Sequence, residues 1–111
     1  MIIDFSKIKE ADINGFKGGE GIMHSRAFWD GKNRIMLNRL EAGAFSGYHE
    51  HKENCEMIYV LEGQLEFRDN DTTEVCHAGQ LHYCVQGHSH CFRNTGDKTA
   101  TFLAIVPEQR I

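Results

Sequence analysis

The chain has 111 residues, 41% hydrophobic and 25% charged, a balance that fits one soluble globular domain and not a disordered tail. A net charge of −4 without any basic block argues against a nucleic-acid partner, and no apolar run approaches the ~20 residues that a bilayer span needs. Charges inside MIIDFSKIKE, where a signal peptide needs an apolar run, give a cytoplasmic expectation. Cys55, Cys76, Cys84 and Cys91, with no CxxC pair, are then expected as free thiols.

In chain order, residues 1–30 read as an N-terminal region of strand and loop. DFSKIKEAD at 4–12 has N-cap candidates in Asp4 and Ser6 but apolar spacing too short for more than a turn or an edge segment. GFKGGEG at 15–21 is too rich in glycine for a regular element. From Arg34 onward the chain alternates β-branched and aromatic runs with turn signals. The runs are RIMLNRL at 34–40, EMIYVLEG at 56–63, QLEFR at 64–68, TEVCHAG at 73–79, QLHYCV at 80–85, HCFRN at 90–94 and ATFLAIV at 100–106. Short strands spaced roughly 8–12 residues apart predict an all-β sandwich or barrel in a single domain, with little room for helix. Asp69, Asn70 and Asp71 read as a solvated hairpin tip with no metal role.

Seven histidines are many for a chain of this length. His49 and His51 are two apart, so on an extended backbone their rings project from one face about 7 Å apart. Glu56 follows a polar bend and opens the next apolar strand, whereas only the fold can bring His90 alongside. His24, His77 and His82 have no such register and read as ordinary surface or strand histidines. Arg34 and Arg39 flank this segment and can anchor a carboxylate, but surface positions are the expectation for both. Cys55 precedes Glu56 and points to the opposite side if both are extended.

The run from Gly43 through His49, His51 and Glu56 to Gly63 resembles the first motif of the cupins, G(x)5HxH(x)3–4E(x)6G, at every fixed position. The run Gly79, Gly87, His90 and Asn94 resembles the second, G(x)5PxG(x)2H(x)3N, with Val85 standing where the family usually has proline. This resemblance implies a small jelly-roll barrel, a double-stranded β-helix. It also implies one divalent transition metal (Mn, Fe, Co, Ni, Cu or Zn) on His49, His51, Glu56 and His90. An octahedral ion would keep two open positions for a small oxygenated substrate, whereas tetrahedral zinc would be closed and structural.

Two functions follow from the resemblance. One is a metal-dependent enzyme of the oxygenase, decarboxylase or isomerase type, with His88 and Tyr48 as candidate acid–base residues. The other is a non-catalytic module that holds a structural metal or a small ligand. In two-domain oxalate decarboxylases an arginine precedes the HxH pair and holds the substrate; Ser46 lies in that region here. A barrel this small is expected to pair into a homodimer through its N-terminal strands.

Overall fold

The computed structural model describes residues 1–109. Ten strands follow in order: β1 (Ala11–Asn14), β2 (Ile22–Trp29), β3 (Asn33–Leu40), β4 (His49–Glu50), β5 (Glu56–Glu62), β6 (Gln64–Asp69), β7 (Thr72–His77), β8 (Leu81–Cys84), β9 (Ser89–Arg93) and β10 (Ala100–Pro107). The helical segments are two 3-10 turns, Phe5–Lys7 and Phe16–Gly18, and the side chain of Asp4 caps the first by accepting from the Ser6 N–H at 3.0 Å.

The strands form two antiparallel sheets, one of six in the order β1-β2-β3-β10-β5-β8 and one of four in the order β4-β9-β6-β7. This is the all-β jelly roll that the resemblance implies. Alternation drives it: along β10 Ala100, Phe102 and Ala104 are buried, as are Leu65 and Phe67 along β6 and His90 and Phe92 along β9. Met23, Leu40, Ile58, Val60, Phe67, Phe92 and Phe102 make the core between the sheets, each nearly inaccessible to water.

Residues 22–29 form a full strand that the reading of 1–30 did not resolve. The inward positions of β2 include Ser25 and Ala27 while Phe28 faces outward, so the period-two pattern is masked in hydropathy and only pairing with β3 reveals it. Asn70 and Asp71 form the exposed turn of the β6–β7 hairpin, as expected, whereas Asp69 is only partly exposed. Asp69 is the last residue of β6 and its carboxylate lies 2.8 Å from Nδ1 of His88, while Asn70 turns the chain with φ of 49°. All four cysteines are free.

Candidate metal centre

The site forms where β4, the start of β5 and β9 meet. His49 pairs directly with His90 across the β4–β9 ladder, which joins residues 41 positions apart. His51 follows β4 and is held by its own backbone, donating its N–H to the His88 carbonyl and accepting from Gly87. Gly87 takes φ of 88° in the turn from Val85 to His88, so the bend forms without the proline usual at position 85. Asn94, the last fixed residue of the second motif, is buried and structural: its amide donates to the Leu40 and Lys98 carbonyls and its oxygen accepts from Gly96.

One donor atom from each of His49, His51, Glu56 and His90 lies within 4.8 Å of all the others. Nε2 of His90 is 3.2 Å from Nε2 of His49, 3.0 Å from Nε2 of His51 and 2.9 Å from Oε1 of Glu56. The outer nitrogens decide what converges. His49 Nδ1 donates to the Gly47 carbonyl at 2.8 Å and His51 Nδ1 to the Asn54 side-chain oxygen at 2.6 Å, so in their neutral forms both rings turn a bare Nε2 lone pair inward. Acceptor lone pairs and a carboxylate packed at these distances repel one another unless a cation or protons sit among them. The donor set therefore fits a divalent transition metal.

Electrostatics in the metal-free protein express the same crowding. Burial pushes the His49 imidazole down to about 4, against a smaller upward pull from the Gly47 carbonyl. Burial opposes charge on His51 too, but its hydrogen bonds to Glu56 and Asn54 raise it above the ordinary value. Burial disfavours the Glu56 carboxylate, yet hydrogen bonds from His51 and His90 hold it down to about 2. The raised His51 thus offers a proton toward Glu56 in the space a metal would occupy.

His82 corrects the sequence reading. It stands on a strand, one of the two placements expected, but is buried and not ordinary: its ring stacks on Phe67 at 3.8 Å and its Nε2 lies 3.0 Å from Nδ1 of His90. Burial, then the neighbouring His90, depresses it to about 4. No local signal marks it, because His82 lies on β8 of one sheet and His90 on β9 of the other. His82, Cys84 and His90 also bring donor atoms together, and burial pushes the Cys84 thiol up to about 12.

The acid–base candidates lie elsewhere. Tyr48 has the opposite parity to His49, is exposed, and carries the Arg68 guanidinium over its ring at 4.7 Å. His88 pairs with Asp69. Neither borders the cavity of about 390 Å³ that opens beside His49, His51 and Glu56. Ser46 is buried and accepts from the Phe92 N–H. Among the described residues, Lys17 and Arg34 are the cations that border that cavity, whereas Arg39 lies away from it, tied to Glu10 at 2.7 Å. Lys17 stands in the glycine-rich segment with φ of 55°. That segment is pressed on the HxH strand: Phe16 meets the His49 ring edge-on at 6.2 Å, and a Cβ on Gly47 would stand 1.8 Å from the Lys17 carbonyl oxygen.

Residues 36–106 match the cupin domain family. The chain is 30% identical to an oxalate-binding protein of Thermotoga maritima, an alignment that covers 96% of this chain and 93% of that protein. It also superposes on a solved structure described as a predicted oxalate decarboxylase from Thermotoga maritima, with a TM-score of 0.89, 28% identity and 97% and 99% of the two chains covered. A cupin-superfamily sugar phosphate isomerase from Silicibacter pomeroyi is similar at a TM-score of 0.75 and 25% identity, covering 97% of this chain and 76% of that one. The two motifs, the ten-stranded jelly roll and these relatives agree, and the chain belongs to the cupin family.

Proposed function

We propose that this cupin holds one divalent transition metal on His49, His51, Glu56 and His90 and takes a small carboxylate such as oxalate there, acting on it as a decarboxylase, oxygenase or isomerase. The observation that carries the reading is the convergence of three imidazole Nε2 atoms and one carboxylate oxygen at the end of a cavity that also holds Lys17. The metal would supply Lewis-acid polarisation of a ligand oxygen. The chain's own residues do the rest. Gly47 and Asn54 fix the ring orientations, Phe16 shields His49 from water, and Lys17 adds positive charge where an acid would enter.

A second reading, binding without turnover, is favoured by a specific observation: Tyr48 and His88 do not border the cavity, and a curated relative aligned over 96% of this chain is named for binding oxalate. Element analysis of the purified protein, followed by calorimetry and a turnover assay with oxalate on the metal-loaded form, tests both. Binding with product formation supports the enzyme; binding alone supports the module; no metal and no acid bound would overturn both.

The protein is further proposed to pair with a second copy of itself. Tyr59 and Leu61 on β5 and Leu81, Tyr83 and Val85 on and beside β8 are all exposed on the outward face of the six-stranded sheet. Tyr59 is registered with Leu81 and Met57 with Tyr83, so these side chains form a continuous apolar patch at that sheet's edge, of the kind that marks an interface. This patch supports pairing through the β5–β8 edge as an alternative to the N-terminal strands. A sedimentation mass of one chain at micromolar concentration would remove this proposal.

A further inference from the structure

The cavity beside the four donors is larger and more apolar than a two-carbon acid requires. Its volume of about 390 Å³ falls within the range of sites that enclose whole small molecules. Strand register sets its length. Trp29 faces Arg34 across β2–β3, Arg34 faces Val106 across β3–β10, and the pairing of Ile105 with Met57 sets Val106 opposite Glu56 at the head of β5. These residues form one transverse row. With neighbouring strands ~4.8 Å apart, the Arg34 backbone stands roughly 10 Å, and that of Trp29 roughly 14 Å, from that of Glu56.

All of this row faces inward. Along β2 the inward Met23 and Ser25 are buried, but Ala27 and Trp29, of the same parity, are exposed. Along β3 Leu40, Asn38 and Met36 are buried, and then Arg34 is exposed. The six-stranded sheet therefore runs past its own core, and its inward face at that end becomes the wall of the cavity. The wall is apolar at Ala27, Met36 and Val106. It ends on a plate made by the Arg34 guanidinium lying 5.0 Å over the Trp29 ring.

We infer that the ligand is an oxo- or hydroxy-carboxylate bearing an apolar chain of roughly four to six carbons, a length set by the row of strands. Its acid end sits at His49, His51 and Glu56 beside Lys17, and its tail runs over Ala27, Met36 and Val106 toward Trp29 and Arg34. This inference rests on the proposed metal-held carboxylate and names its substrate class. A two-carbon acid alone would leave the apolar wall wet.

The test is calorimetry on the Mn(II)-loaded full chain with oxalate, pyruvate, 2-oxobutanoate, 2-oxohexanoate and phenylpyruvate. Affinity is expected to rise about threefold for each methylene that the wall covers, giving 2-oxohexanoate at least a tenfold advantage over pyruvate. In Ala27→Phe, which fills the channel, and in Trp29→Ala, which removes the end plate, the ratio of the 2-oxohexanoate to the pyruvate affinity is expected to fall toward one. Oxalate and pyruvate binding with a flat or falling series in the wild type would overturn this inference while leaving the proposed function standing. Binding of none of the acids would overturn both.

Discussion

The imidazole of His82 lies 18° from parallel to that of His90, with Nε2 of the first 3.0 Å from Nδ1 of the second. If His90 turns a bare Nε2 toward the other donors, its Nδ1 carries the proton and donates to His82. The remaining His82 proton then sits on Nδ1, which has no hydrogen-bond partner and faces Oε1 of Glu74 at 3.8 Å. His82→Phe should keep the stack on Phe67 but lose the acceptor, weakening metal binding about 10–100-fold, with His82→Gln intermediate. Chelator competition measures this; equal affinities in all three proteins would show that His82 only fills space.

Metal removal should lower stability in proportion to occupancy. At free metal 100-fold above its dissociation constant the folded state gains about 2.7 kcal/mol, or roughly 10 °C in Tm for a domain of this size. Chelator should erase that gain in the wild type. In the double variant His51→Ala, Glu56→Ala neither metal nor chelator should move Tm, and a shift of wild-type size would refute the ligand assignment.

Lys17→Met should weaken oxalate binding about three- to tenfold, the range for one partly solvated charge at a binding site. Metal affinity should not fall, because the ammonium charge works against charge on His51 and so does not favour a cation there. Calorimetry with oxalate and a separate metal titration separate the two effects.

The Gly47 contact predicts a structural variant. A methyl group there would meet the Lys17 carbonyl oxygen at 1.8 Å, a backbone atom that cannot yield by rotating a side chain. Gly47→Ala should therefore cost about 1–3 kcal/mol and displace the 15–21 segment from His49. Urea unfolding gives the first quantity, and protease sensitivity near Lys17 reports the second.

A histidine outside the metal centre gives a pH dependence. His24 Nδ1 lies 2.6 Å from Asp12 and its Nε2 3.3 Å from Glu41, with Glu10 at 4.0 Å and Arg39 on the facing strand. The Asp12 hydrogen bond leads in raising it above the ordinary 6.5; burial and Arg39 work against that, and Glu41 adds to it. A raised folded-state value means the protonated ring stabilises the fold fully below pH 6.5 and loses that contribution as pH rises through the folded value. Between pH 6 and 8.5 the wild type should lose stability in urea that His24→Gln does not lose; parallel pH profiles would refute this.

The chain announces some of this architecture and hides the rest for identifiable reasons. His49, His51 and Glu56 are legible because one short segment carries all three at fixed offsets, and His90 because the glycines around it set its register. The strands after Arg34 are legible because their inward residues are apolar. β2 is not, because its inward face carries Ser25 and Ala27 where the sheet stops covering core and starts lining a cavity. Arg34 was expected at the surface and is exposed, yet it lies on the inward parity. Lys17 is concealed by a run of glycines, and His82 by the fact that its partner belongs to the opposite sheet.

The placement of β10 carries a consequence for folding. It is the last of the described strands, yet it lies between β3 and β5 and is hydrogen-bonded to both along most of its length. Until it pairs, β5 has no neighbour on that side, and β1 to β3 stand as a separate layer. Glu56, at the head of β5, is held loosely until then. Closure of the sheet around Glu56 therefore waits on a long-range pairing, that of β10 with β3 and β5, and not on the local turn that follows the HxH pair.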